Sequence, residues 1–322
     1  MSNFFQFIVF EMIARKDTPK LMAVITTYNP NFLEFISNFE SLKLAGIDTV
    51  VVDDGSSFNE GKTEHFEKII EKMGFQLIRS KTNSGVASAL NTGILAALNS
   101  GAEFVLLLDQ DSVPSESLGY ALVDSNADLA LEGANIAAIG PRPIDAKTGM
   151  KSDFFILEPP EKAEPKCIAP ERFVKCDFLI TSGCLISRQA FNAIGYMDET
   201  LFIDGVDFEW FFRAKSLGYE AYGVNDLVLN HNLGETARRI WFLRWRNIPS
   251  HAPFRYYYMF RNSILLSRRP YVPKAWIRFE LKRLIKIALI SCVFVSPRIT
   301  NARMILKGIR DGLMGKSGKI PQ

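Results

Sequence analysis

At 322 residues, 48% hydrophobic and 23% charged, the chain can fill one large core and a smaller one, which excludes a disordered or fibrous polypeptide. Four cysteines (Cys167, Cys176, Cys184, Cys292) lack Cys-x-x-Cys spacing, which argues against a zinc ribbon or a disulfide scaffold and implies a reducing compartment. The net charge of +3 conceals a division: Thr236–Gln322 carries 19 Lys and Arg against two acidic residues, an excess of +17, and residues 1–235 stand at −14.

The first 16 residues, MSNFFQFIVFEMIARK, hold an apolar patch with no basic residue before it and Glu11 inside it. Residues 1–19 are therefore read as an N-terminal extension, an added element or interfacial contact, and not a signal peptide. Leu21–Tyr28 is a short apolar, β-branched run stopped by Asn29-Pro30, and a helical pattern follows to Gly46. Thr49–Asp53 predicts a buried strand closed by Asp54-Gly55-Ser56, Glu60–Met73 a helix and Phe75–Arg79 a strand. Val86–Asn99 predicts a helix ended by Ser100-Gly101, and Phe104–Leu108 a strand. Strands and helices alternating at this spacing imply a parallel sheet covered on both faces, with ligands beyond the carboxyl ends of its strands. Asn29, Asp53, Asp54, Asp109 and Asp111 all fall there.

Past Gly140 the rhythm loosens, and Asp145–Cys176, rich in Pro, Lys and Glu, predicts a loop or flap. Phe178–Ser187 restores order, with a short helix to Gly195. Phe208–Leu217 predicts a helix stopped by Gly218, and Tyr219–Asn225 and Leu227–Asn230 two strands. From about Thr236 the chain is expected to be helical, basic and aromatic. No run reaches the roughly 18–20 apolar residues that span a bilayer.

Each motif has a chemical and a structural reading. In LLLDQDS, Asp109 and Asp111 project together from an extended chain, where their repulsion suits a hard divalent cation such as Mg²⁺ or Mn²⁺; the alternative is a solvated turn. In VVDDGSS a carboxylate can accept from a nucleobase imide N–H, or Asp-Gly can simply turn the chain. NSGVASALNTG places small residues at a helix start, which suits either an anion or close packing on a sheet; it is neither Gly-Lys-Ser/Thr nor Gly-x-Gly-x-x-Gly. In DGVDFEWFFR, Glu209 and Arg213 are spaced to pair, and Asp207 at the helix start is either a cap or a general base, with Asp204 the weaker candidate. His231, one of three histidines, is a structural residue unless its strand ends beside Asp109 and Asp111.

In order, ITTYNP, VVDDGSS, NSGVASALNTGI, LLLDQDS, TSGCLISRQAF, IGYMDETLFIDGVDFEWFFRA and LNHNLG resemble the family 2 inverting glycosyltransferases of the GT-A fold, and among them the bacterial rhamnosyltransferases of surface polysaccharide synthesis. The resemblance spans roughly residues 20–270. It implies an α/β fold with a Rossmann-like, mostly parallel central sheet flanked by helices, and a C-terminal basic helical extension. It divides the chain into the extension 1–19, a catalytic domain 20–235 and a basic region 236–322. Thr26, Tyr28, Asp53 and Asp54 match the motifs that hold the nucleotide base, and Asn83, Gly85 and Asn91 the segment beside the ribose and diphosphate. Asp109 and Asp111 match the DxD motif for Mg²⁺ or Mn²⁺, and His231 a histidine that completes the metal site in some members. Asp207 matches the catalytic base, although Val206 stands where the family usually carries an acid. Gly183 and Cys184 match the loop near donor sugar and acceptor. The implied reaction is metal-dependent transfer of L-rhamnose from dTDP-L-rhamnose, with inversion, to a glycan or lipid-linked glycan; a UDP-sugar is the alternative donor.

In the basic region, Lys274, Arg278, Lys282 and Lys286 recur every four residues, and Trp276, Ile277, Phe279, Leu284, Ile285 and Ile287 fill much of the remaining circumference. This predicts an interfacial helix on an anionic membrane, hence a cytoplasmic protein peripheral on the inner face of the plasma membrane; the alternative is a helix packed on the catalytic domain. Tyr256–Tyr258, Trp241 and Trp245 suit a core, a sugar-stacking or a lipid-interface position equally. Nucleic-acid binding through the +17 region is the remaining alternative class, with no recognised module to support it.

Overall fold

The computed structural model describes residues 19–145, 149–157, 172–231, 236–242 and 244–320; the expected N-terminal extension, bar its last residue, and much of the expected flap lie outside them. The chain begins β1 (Leu21–Thr27), α1 (Phe32–Leu44), β2 (Asp48–Asp53), α2 (Glu60–Met73), β3 (Gln76–Arg79), α3 (Val86–Asn99), β4 (Phe104–Asp109). The bounds follow local chemistry. Asn31 caps α1 through its side chain, Asn59 does the same for α2, and Gly74 ends α2 in the left-handed region.

The chain continues with β5 (Ser112–Val113), α4 (Leu118–Leu131), β6 (Ile136–Asp145), β7 (Phe173–Cys176), β8 (Leu185–Ser187), α5 (Arg188–Ile194), α6 (Val206–Ser216) and β9 (Glu220–His231). Among the described residues nine strands form one sheet in the order β3-β2-β1-β4-β8-β6-β9-β5, with β7 also on β9. The parallel arrangement holds from β3 to β4. Beyond β4 the sheet is mixed, since β8 runs antiparallel to both β4 and β6. The two strands expected between Tyr219 and Asn230 are one, with the second of two register shifts against β6, that between Pro141 and Arg142, falling where the break was expected.

Every residue of β1 is buried, as a central strand covered on both faces requires. Leu21, Ala23 and Ile25 face one core with α1, α2 and α4; Met22 and Val24 face the other with α3, α5 and α6. Register carries function here: Thr27 lies opposite Asp53 and Thr26 opposite Asp109, so three strand ends meet at one edge.

The expectation of helix from Thr236 is corrected. Residues form a hairpin of β10 (Thr236–Phe242) and β11 (Arg244–Ser250), running in register from Thr236↔Ser250 to Phe242↔Arg244. The stretch favours strands through β-branched and aromatic residues, and Pro249 opposes a helix interior. Helices begin afterwards: α7 (Pro253–Ser267), α8 (Lys274–Val293) and α9 (Arg298–Leu313). Trp276 of α8 is buried against Phe208 and Phe212 of α6, so this region shares a core with the sheet domain. Tyr256, Tyr257 and Tyr258 are each 1% exposed, which makes them core residues rather than sugar platforms or lipid anchors. The side chains of Trp241 and Trp245 lie outside the description.

Candidate active site

A cavity of about 750 Å³ opens at the carboxyl ends of β1, β2 and β4. Thr26, Tyr28, Asp54, Asn83, Gly85, Asp109, Asp111, Asp204 and Asp207 line it. Residues some 180 positions apart in sequence thus face one space, because parallel strands end on the same edge and α6 starts against it.

Asp54 accepts from the backbone N–H of Ser84 (2.7 Å) and Gly85 (2.9 Å), which fixes the loop leading into α3. Burial raises its pKa, and those two hydrogen bonds oppose the rise. Gly85 has φ +97°, and a Cβ there would lie 2.4 Å from the Phe202 carbonyl oxygen, so only glycine lets the loop and the Phe202 segment approach. The first backbone N–H groups of α3 therefore stand at the cavity wall, the environment that favours a diphosphate. Asn83 Oδ1 is buried without a hydrogen-bond partner beside them.

On the opposite wall, Tyr28 N–H donates to Gln110 Oε1 (2.8 Å) and Asp109 N–H to Ser182 Oγ (3.0 Å), fixing the Asp109–Asp111 turn. Burial, and then the charges of Asp111 and Asp207, push the Asp109 carboxyl up to about 7. Thr26 opposes that shift by hydrogen bonding. Asp111 and Asp207 stand close enough to Asp109 for their charges to raise its pKa, and carboxylate oxygens are the ligands hard divalent cations take, but among the described residues no three His, Cys, Asp or Glu side chains form a group that could hold a metal ion. His231 lies opposite Ser112 in the β5–β9 ladder, which brings its backbone to the same turn; its side chain lies outside the description.

Asp207 stands in the first turn of α6, where the Thr181 hydroxyl donates to its Oδ1. Burial raises its pKa; the Thr181 bonds lower it and Asp204 raises it further. Asp204 itself is held by Arg255 Nη2 at 2.5 Å, so the two acids differ in environment although they share the cavity.

Four residues named from sequence support the cavity without lining it. Asp53 is fully buried, hydrogen bonded by Ser56 and paired with Arg79 at 3.2 Å. Asn91 spends its amide on Met197 (N–H to Oδ1, 2.9 Å) and on the Met197 carbonyl and Glu199, clamping α3 to the segment before α6. Gly183 takes φ +91° behind Thr181, and a Cβ would sit 2.8 Å from Leu229. Cys184 is buried with its thiol donating to the Ile180 carbonyl. The expected Glu209–Arg213 pair is present at 2.8 Å, within a network that includes Arg269 and Tyr271.

Sequence reasoning did not single out Thr181, Arg261 or Asn262. Asn262 donates to the carbonyls of Leu201 (2.9 Å), Ile203 (2.8 Å) and Asp204 (2.6 Å), and Arg261 to that of Leu201 (2.9 Å). They hold Phe202 and Asp204, both at positive φ without being glycine, against the site. Thr181 lay inside a quoted motif; the Arg-Asn pair carried no local signal, because its partners are some 60 residues away.

The family model "Glycosyl transferase family 2" matches residues 22–195. The dTDP-rhamnosyl transferase RfbF of Shigella flexneri is 31% identical over 267 residues, covering 79% of this chain and 81% of that one. Among solved structures, S. aureus TarS has a TM-score of 0.52 at 15% identity, with 94% of this chain and 49% of TarS covered. The mannosyltransferase PcManGT from Pyrobaculum calidifontis, solved with GDP-Man and Mn²⁺, has a TM-score of 0.51 at 14% identity, covering 92% and 88%. At such identities the two structures establish a shared fold.

Proposed function

Because the chain belongs to glycosyl transferase family 2, we propose that this glycosyltransferase moves L-rhamnose from dTDP-L-rhamnose to a hydroxyl of a glycan or lipid-linked glycan, with inversion, at the inner face of the plasma membrane. The observation that carries the reading is the meeting of Asp109, Asp111 and Asp207 with the Asp54-tied loop around one cavity. The likeness to RfbF supports the donor; a UDP-sugar is the competing choice.

Asp109 and Asp111 would hold Mg²⁺ or Mn²⁺, with His231 as a third ligand, and the ion would neutralise the leaving diphosphate as a Lewis acid. The N–H groups at the start of α3 and the orphaned Asn83 oxygen fit the polar donor between base and sugar. Thr26, Tyr28 and Asp54 line the cavity and would meet the base and ribose, with Asp53 and Asn91 bracing the elements behind them through Arg79 and through Met197 and Glu199. Asp207 accepts the proton of the attacking hydroxyl, and its raised pKa makes it a stronger base than a solvated carboxylate. Thr181 fixes which oxygen faces the acceptor. Asp204, neutralised by Arg255, is the lesser candidate for this step. A single displacement needs only one such base on the face opposite the leaving group.

The test is turnover of dTDP-L-rhamnose and of UDP-sugars with Mg²⁺ or Mn²⁺ and with chelator, followed by the anomeric configuration of the product. Cation-dependent consumption of dTDP-L-rhamnose with an inverted product supports the reading; turnover of UDP-sugars alone replaces the donor.

A further inference from the structure

Helix α8 has two functional faces. Its inner face carries Trp276 into the core and Glu280 and Arg283 into the wall of the cavity beyond Asp207. There both Glu280 oxygens are taken up by Arg283 at 2.6 Å, and Ser263 donates to one of them at 2.6 Å. The outer face, about half a turn away, holds two parallel stripes. Lys274, Arg278, Lys282 and Lys286 form one, and Leu281, Ile285, Leu289 and Val293 the other. Arg278, Lys282 and Lys286 each stand three residues before a member of the apolar stripe, so the stripes are neighbours on the surface. The four aliphatic side chains are 58%, 53%, 62% and 52% exposed, and Ile299, just past the α8–α9 corner, is 70% exposed beside exposed Arg298. Helix α8 brings no acidic side chain to this face, because Glu280, its only acid, is buried.

We propose that the outer face of α8 and its corner with α9 form an interfacial docking surface for an anionic lipid bilayer. The inference rests on the glycosyl-transfer reading only for its purpose. One helix diameter, roughly 10–12 Å, separates this face from the cavity wall, so docking brings a lipid-tethered acceptor within reach of Asp207. The occupant follows from the two stripes together. Lys and Arg stems lie along apolar surface while their charges meet lipid phosphates, and the aliphatic side chains enter the acyl boundary. A second copy of the chain would bring a like-charged face against this one, and a nucleic acid would leave the aliphatic stripe without a role.

The test compares sedimentation of the full chain with vesicles of phosphatidylcholine containing phosphatidylglycerol and vesicles of phosphatidylcholine alone. Arg278→Glu/Lys282→Glu and Leu289→Asp/Val293→Asp variants are run beside it. The wild type is expected to bind the anionic vesicles, to release in high salt, and to bind neutral vesicles at least about tenfold more weakly, since each basic residue near such a surface is worth about a fivefold change. Each double variant is expected to lose about tenfold or more in vesicle binding, with unchanged thermal midpoint and unchanged hydrolysis of dTDP-L-rhamnose in vesicle-free solution. Three results would overturn the proposal: no binding to anionic vesicles, binding that neither variant alters, or an aliphatic variant that changes only the oligomeric state. RNA binding lost in the charge variant but kept in the aliphatic variant would also overturn it, in favour of the nucleic-acid alternative. If vesicle binding fails while cation-dependent donor hydrolysis persists, the docking surface falls and the enzyme reading stands.

Discussion

The hydroxyl of Thr181 donates a hydrogen bond to Oδ1 of Asp207, joining the loop before β8 to the first turn of α6. The bond stabilises the ionised form of an acid that burial otherwise pushes toward protonation. Backbone hydrogen bonds from Thr181 and from Asp207 itself act in the same direction, so the carboxylate is held at the start of α6 by the loop as well as by its own helix.

Asp207→Asn is therefore expected to lower kcat by about 10³-fold or more while leaving the affinity for the dTDP-sugar nearly unchanged. Initial rates and calorimetric donor binding check this together. Full turnover by the variant would transfer the base role to Asp204.

Activity should fall on acidification, because Asp207 must be ionised to accept a proton and its pKa lies above that of an ordinary carboxylate. Thr181→Val removes a bond that holds this pKa down, so the acid limb of the pH–rate profile should move to higher pH. An unshifted profile would show that Thr181 does not tune the base.

Asp54, Asp109 and Asp207 all have raised pKa values in the folded chain. Their contribution to stability is complete below the unfolded value near 3.8 and is lost as pH rises, for Asp109 through about 7. The metal-free protein should accordingly melt at a lower temperature at about pH 8 than at about pH 5, and Mn²⁺ should restore the loss only at the higher pH, since a ligand carboxylate binds metal deprotonated. Asp109→Asn should abolish the Mn²⁺ effect; a midpoint insensitive to Mn²⁺ at every pH would remove the ion from the site.

Gly85→Ala places a methyl group against the Phe202 carbonyl at a positive φ. The expected cost is roughly 2–4 kcal/mol of stability in denaturant unfolding, with weakened donor affinity in any folded fraction. A neutral result would mean that the loop and the Phe202 segment are not fixed to each other.

The sheet edge was legible in sequence because each of β1, β2 and β4 is a local apolar run ended by polar residues, and Asp54, Asp109 and Asp111 sit at those ends. Asp207 was legible from its place at a helix start. Asp53 and Asn91 were named with their motifs, yet their side chains turn to Arg79 and to Met197 and Glu199, contacts that no local pattern encodes. The hairpin at Thr236–Ser250 was read as helix because its pairing is decided across strands rather than by a period along the chain.

The sequence by itself determined the order of strands and helices from β1 to β4, the acids that end those strands, and the concentration of positive charge after residue 236. These are properties of short windows, where periodicity and turn chemistry act. Tertiary structure alone decided that Asn262 and Arg261 hold the Phe202–Asp204 segment, and that Arg255 rather than solvent neutralises Asp204. It alone decided which side of α8 faces the cavity and which, among the described residues, is exposed. Those outcomes depend on which distant backbone carbonyls and charges arrive together when both faces of the sheet are covered, and burial makes each unmet group costly.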